Sequence, residues 1–170
     1  KTLEEFCFAI KEMQVRGAPL IGVTAAYGMY VASKTTKNFS ELEKAGDSLK
    51  STRPTAVNLS WAVDKIITEI KDMETSNFQE IILSIANEIR DQDIINCKAI
   101  GENGSRLIEN IYQKTQKKVN VLTHCNAGWL ATVDWGTALA PIFIANQKKI
   151  PIHVWIDETR PRNQGFSLTA

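Results

Sequence analysis

The sequence predicts an α/β chain: a helical bundle over residues 1–118, then one β-α-β unit over 119–170. Three observations predict it. Apolar residues recur at helical spacing along the first two thirds of the chain. After the basic turn Thr115 to Lys118 the period switches to two, in Val119-Asn120-Val121-Leu122. A second β-branched run, Ile152 to Ile156, follows a helical stretch over 129–145, which implies a right-handed crossover and a parallel pair.

The elements follow in order. Thr2 is placed to cap a helix running through Met13, with Glu4 and Glu5 in the first turn, where the dipole favours anions. Arg16-Gly17-Ala18 reads as a loop, and Pro19 opens a helix through Leu20, Val23, Tyr27 and Val31. Lys34 to Asn38 is a polar connection, and Ser40 caps a helix ending near Thr52, because Pro54 disfavours the α conformation at Arg53. Asn58 caps the next helix, whose stripe is Leu59, Ala62, Val63, Ile66, Ile70 and Met73. Phe78, Ile82, Ile85, Ala86 and Ile89 repeat that stripe behind Asn77. Gly101-Glu102-Asn103-Gly104 is expected to kink or break the helix before Ile108 and Tyr112.

Composition narrows the function. A net charge of +1 supports neither a nucleic-acid surface nor an electrostatic membrane surface. No apolar run is long enough to span a bilayer, and no apolar leader follows Lys1-Thr2-Leu3. Cys7, Cys97 and Cys125 cannot all pair and form no Cys-x-x-Cys, which favours a reducing, cytoplasmic setting and argues against a metal site. No Gly-rich dinucleotide fingerprint follows either strand, so a nicotinamide cofactor is not expected. The chain begins without methionine and stops soon after a dense polar motif. Because a sheet of so few strands is marginal alone, sequence beyond Ala170 is expected.

Chemistry concentrates in four segments. Thr123-His124-Cys125-Asn126-Ala127-Gly128 is a strand-to-helix turn holding a cysteine, where open α/β sheets place ligands. The second strand runs into Asp157-Glu158-Thr159-Arg160-Pro161-Arg162-Asn163-Gln164-Gly165 at the same sheet edge, which puts both motifs in one site. Arg16 before a helix start is a natural anion position, and Arg53 opens a second such loop. His124 and His153 read as structural, Cys7 and Cys97 as packing, and Arg160 and Arg162 as ion-pair partners of Asp157, Glu158 or a second subunit.

Together these segments resemble the methylthioribose-1-phosphate isomerases: Val15-Arg16-Gly17-Ala18-Pro19-Leu20-Ile21-Gly22, Arg53-Pro54-Thr55-Ala56-Val57-Asn58-Leu59, and the Cys125 and Gln164 motifs, in the family's order. The wider group includes ribose-1,5-bisphosphate isomerases and regulatory subunits of initiation factor 2B. The resemblance implies a helical N-terminal domain joined to a Rossmann-like domain, usually as a homodimer. It also implies an aldose–ketose isomerisation of 5-methylthioribose 1-phosphate in methionine salvage, without metal or organic cofactor. By it, Arg16, Gly17, Ala18, Arg53 and Gln164 bind substrate and Cys125 is catalytic. The phosphate blocks the anomeric oxygen, so the ring oxygen must be protonated and hydrogen moved from C2 to C1. A cysteine at a helix N-terminus beside arginines is favoured as the thiolate and suits a base or polar stabiliser; Trp129 would help exclude water. The family's general acid, an aspartate, and its asparagine–lysine pair match no position here, so the chain is expected to be a fragment, inactive alone. The alternatives are an isomerase of another sugar 1-phosphate and a non-catalytic regulatory subunit.

Overall fold

The computed structural model describes residues 2–36 and 38–170; Lys37, in the polar connection read over 34–38, lies outside them, as does Lys1. The chain is α/β. It forms two compact units, 1–92 and 93–170, dividing inside one long helix upstream of the turn where the periodicity changes.

The first unit holds α1 (Leu3–Lys11), α2 (Ala18–Ser33), α3 (Phe39–Thr52), α4 (Val57–Ile70) and the start of α5 (Phe78–Thr115). α1 opens on a capping box: the Thr2 side chain accepts from the Glu5 N–H, and the Glu5 carboxylate accepts from the Thr2 N–H at 2.8 Å. It stops two residues short of the expected Met13, which takes φ +56 and turns the chain. Asn38, not Ser40, caps α3, its side chain accepting from the Glu41 N–H at 2.9 Å. Asn58 caps nothing either: α4 starts after Ala56, which makes no side-chain cap, and Asn58 lies within the helix.

Leu42, Leu49, Leu59, Ile66 and Ile70 are fully buried and form the centre of this unit with Met29. Gly22 lets α2 approach α4, since a Cβ there would stand 3.0 Å from the Asn58 carbonyl oxygen. Further along, Gly46 of α3 faces both Val63 and Met29. Passing from Gly22 to Met29 on α2 therefore parallels passing from Asn58 to Val63 on α4. The two helices run the same way, and their N-termini lie at one end.

The second unit holds the rest of α5, β1 (Val119–His124), α6 (Ala140–Gln147) and β2 (Ile152–Asp157). β1 and β2 are parallel, in register from Val119↔Ile152 to His124↔Asp157. The expected break at Gly101–Gly104 is absent and α5 is continuous. These glycines are places of close approach: a Cβ on Gly101 would stand 2.8 Å from Ile144 Cδ1, and one on Gly104 2.5 Å from Pro141 Cγ. The single helix expected over 129–145 is also corrected. A 3-10 turn, Trp129–Ala131, is followed by a loop, and α6 begins only at Ala140. Pro141 cannot donate to a helix arriving from upstream, and Gly136 takes φ +77. No helix among the described residues is long and apolar enough to cross a membrane.

Candidate functional site

In the first unit, Gly17 takes φ +93 and is the N-cap of α2, contributing no side chain to the cap. Pro19 carries no N–H, so the open donors of this terminus are those of Ala18 and Leu20, before the ladder begins with Ile21 N–H to the Gly17 carbonyl at 3.0 Å. Arg16 is half-buried, and its Nε donates to the Met13 carbonyl at 3.2 Å. That bond fixes the root of the guanidinium and leaves its two terminal nitrogens to project. Arg53 is also half-buried; its carbonyl accepts from the Ala56 N–H at 2.9 Å, making the turn that opens α4. Among the described residues neither arginine pairs with a carboxylate. Because α2 and α4 start at the same end of the unit, the structure places Arg16, Gly17, Ala18 and Arg53 on one side of it. An open cleft of about 790 Å³, lined by Phe6, Phe8, Val15 and Thr24 among others, adjoins the Arg16 loop.

In the second unit, β1 delivers Cys125 to the surface at φ +68. A non-glycine residue in the left-handed region is uncommon and is held there by its surroundings. Those surroundings are the loop 126–139, wrapped around Ala127. The Ala127 carbonyl accepts from Thr137 N–H at 2.9 Å and Leu139 N–H at 3.3 Å. The Thr132 hydroxyl accepts from Gly136 N–H at 3.1 Å and donates to the Asp134 carbonyl at 3.0 Å. Asp93 on α5 anchors the loop by accepting from Val133 N–H at 2.8 Å. The buried Cys97 thiol donates to the same carboxylate at 3.7 Å; burial first, then the Asp93 charge, push that thiol up to about 11. Cys97 is thus an inert packing group, as read from the sequence. Cys125 does not stand at a helix N-terminus, since α6 starts fifteen residues later at Ala140; the dipole expected to favour its thiolate is not there. Trp129 is exposed and stacks on Phe143 with centroids 5.0 Å apart.

β2 leads into a loop closed on the Glu158 carboxylate, which accepts from the N–H groups of Thr159 and Gly165 at 2.8 Å and of Phe166 at 3.1 Å. Desolvation pushes this carboxyl up, but the Thr159, Gly165 and Phe166 N–H groups and the Arg160 charge outweigh it and hold it below its usual 4.5. A depressed carboxyl stabilises the fold above its unfolded value and loses that contribution as pH falls through the folded one. On acidification below about pH 4.5, the Gly165 and Phe166 amide resonances are therefore expected to titrate together, with a midpoint under that of an exposed glutamate. Separate midpoints in a proton–nitrogen correlation spectrum would remove Glu158 as the common acceptor.

The two motifs meet through a residue that sequence reasoning missed. The Thr169 hydroxyl lies 3.3 Å from the Cys125 carbonyl and 3.5 Å from the Gln164 carbonyl, bridging the two turns. Gly165 packs directly on the end of β2, where a Cβ would stand 2.8 Å from the Asp157 carbonyl. The shared sheet edge thus brings Cys125 and Gln164 together. Only tertiary placement shows Thr169 in this role, and its position in sequence carries no signal for it. Among the described residues no close ion pair joins Arg160 or Arg162 to Asp157 or Glu158, although the Arg160 charge acts on the Glu158 carboxyl. Asp157 instead faces His124 across the strands, Oδ2 to Nδ1 3.7 Å, with both side chains exposed. Likewise no cluster of His, Cys, Asp and Glu able to hold a metal occurs among the described residues.

A parallel strand pair whose carboxyl ends carry a cysteine turn and a polar loop, in a chain whose other unit is a helical bundle with arginine loops at two helix starts, defines a two-unit α/β protein. Comparison with known proteins places it more closely. Residues 14–170 match the Initiation factor 2 subunit family, and the chain belongs to that family. It is 51% identical over 168 residues to the methylthioribose-1-phosphate isomerase of Methylorubrum extorquens, covering 99% of this chain and 46% of that protein. It is 52% identical over 164 residues to the enzyme of the same name from Escherichia coli, covering 95% and 44%. Among solved structures, 5-methylthioribose 1-phosphate isomerase from Pyrococcus horikoshii superposes with a TM-score of 0.83 at 37% identity, over 99% of this chain and 48% of that one. Subunit delta of translation initiation factor eIF-2B from A. fulgidus superposes with a TM-score of 0.81, also at 37% identity, over 99% and 50%. The chain spans under half the length of the curated relatives it matches.

Proposed function

We propose that this chain supplies the phosphate-binding residues and the cysteine of a methylthioribose-1-phosphate isomerase. The observation that carries the reading is the pair of half-buried arginines without carboxylate partners among the described residues, at helix starts on one side of the first unit. Two such guanidinium groups suit a phosphate dianion, which they grip bidentately with the open N–H groups of Ala18 and Leu20. Arg16, Gly17, Ala18 and Arg53 bind the phosphate end of 5-methylthioribose 1-phosphate. Gln164 is a further substrate-binding residue, and Cys125 acts as base or polar stabiliser while hydrogen moves from C2 to C1. The reaction needs no metal or organic cofactor, and the working protein is a cytoplasmic homodimer.

The aspartate that serves the family as general acid has no counterpart in these residues, so the chain alone is expected to bind without turning over. Calorimetric titration with 5-methylthioribose 1-phosphate, followed by proton NMR of the sugar, tests both halves. Absence of binding overturns the substrate assignment, and robust formation of the ketose overturns the partial-site reading. The superposition on the initiation-factor subunit favours a second reading, a non-catalytic regulatory subunit. Such a role requires no sugar-phosphate binding, so the same titration separates the two.

A further inference from the structure

Four buried side-chain atoms among the described residues have no hydrogen-bond partner: Thr123 Oγ1, Asn126 Oδ1, Asn126 Nδ2 and Asn163 Oδ1. Buried polar atoms are almost always paired, and the exceptions call for an explanation. All four belong to the segments at the carboxyl edge of the sheet, the end of β1 and the loops that follow the two strands. Thr123 is the last buried residue of β1, only 4% exposed, and Asn126 follows Cys125 directly. Asn163 precedes Gln164, whose carbonyl shares the Thr169 hydroxyl with that of Cys125. Asn163 is also held in the left-handed region, φ +48, like Cys125 across the edge. Left-handed backbone and unpartnered polar atoms thus occur within a few residues of each other at this edge, and Asn163 carries both.

The chemistry of the unpartnered atoms is specific. They are neutral donors and acceptors, with no cation among them, and the Arg160 charge nearby acts on Glu158. A phosphate would ask for positive charge, whereas hydroxyl groups, each donor and acceptor at once, ask for this mixture. A carboxamide with both ends free presents one donor beside one acceptor, the complement of two adjacent hydroxyls. We infer that Asn126, supported by Thr123 and Asn163, forms a polyol subsite that reads the vicinal 2,3-diol of a ribosyl ligand. As substrate recognition this rests on the isomerase reading; as a site for a neutral diol it stands on the unpartnered atoms alone. It makes Asn126 a specificity-determining residue that separates ribose from 2-deoxyribose, because a sugar without the 2-hydroxyl leaves one end of the carboxamide unpaired.

The test uses the nitrogen-labelled chain and two matched pairs of probes: D-ribose with 2-deoxy-D-ribose, and ribose 1-phosphate with 2-deoxyribose 1-phosphate. The Asn126 side-chain amide signals are expected to shift with the ribose form of each pair and not with the deoxy form. Asn126→Ala is expected to weaken ribose 1-phosphate at least tenfold and 2-deoxyribose 1-phosphate less than twofold. Asn126→Leu, which keeps the approximate volume and removes both polar ends, guards against a defect from lost packing and is expected to lose the same discrimination. Equal weakening of both sugars overturns the inference. So does an Asn126 amide that shows a resident water and ignores every probe. If the free sugars discriminate while the phosphates bind no more tightly than they do, the isomerase reading fails and the polyol subsite stands.

Discussion

Gly136→Ala is expected to destabilise the second unit by about 2–5 kcal/mol and to release the Cys125 turn. Two costs add. An alanine held at φ +77 costs on the order of 1–2 kcal/mol. Its Cβ would also stand 2.7 Å from the Ala127 carbonyl oxygen and from Gly128 Cα, and 2.8 Å from Gly128 C. These are backbone atoms that cannot step aside, and overpacking of this kind costs roughly 1–3 kcal/mol. The Ala127 carbonyl is the hub that Thr137 and Leu139 bond, so displacing it moves the chain two residues from Cys125. Gly128→Ala is the control: its Cβ would meet the Leu139 side chain, Cδ1 at 2.8 Å and Cγ at 3.8 Å, the end of a flexible side chain. Urea unfolding of the three proteins, with mass-mapped alkylation of Cys125, measures both effects. A Gly136→Ala protein as stable as Gly128→Ala would show that the 126–139 loop does not depend on this contact.

The same loop shows where the sequence stops being readable. The strands were legible to within one residue, because alternation and β-branching are local properties of Val119–Thr123 and Ile152–Ile156. The Thr2 cap was legible because its partner Glu5 is three residues away. The helix over 129–145 was not, since apolar content there comes from a loop folded on Ala127 and anchored to Asp93, thirty-four residues earlier. Gly101 and Gly104 misled for a related reason. In isolation they weaken a helix, but in this unit they admit Ile144 and Pro141, and what packs on a helix is invisible in its own spacing. The caps of α3 and α4 differ by two residues from those expected. At α4 no side-chain oxygen caps at all, so the Asn58 signal had no structural counterpart. The candidate site was legible as four motifs on two supports, while its fastenings, Glu158 and Thr169, needed the folded loop to appear.

Arg16→Ala is expected to weaken binding of 5-methylthioribose 1-phosphate about 100-fold, close to 2.7 kcal/mol. The estimate follows from the loss of a bidentate, charge-assisted contact at a half-buried position. Stability is expected to change little, since among the described residues the side chain makes a single bond, from Nε to the Met13 carbonyl. Arg16→Lys should recover part of the affinity, because an ammonium restores charge but not the planar fork. Arg53→Ala should act in the same direction, and raised salt should shrink both effects as screening replaces the lost contrast. The double variant decides whether the two arginines share one ligand. If they grip the same phosphate, the losses will be non-additive, since removing one loosens the geometry the other relies on. Independent, additive losses, or binding that survives both substitutions, would place the phosphate elsewhere. That outcome would leave the two arginine loops as helix starts, with no ligand to explain why neither guanidinium has a carboxylate partner among the described residues.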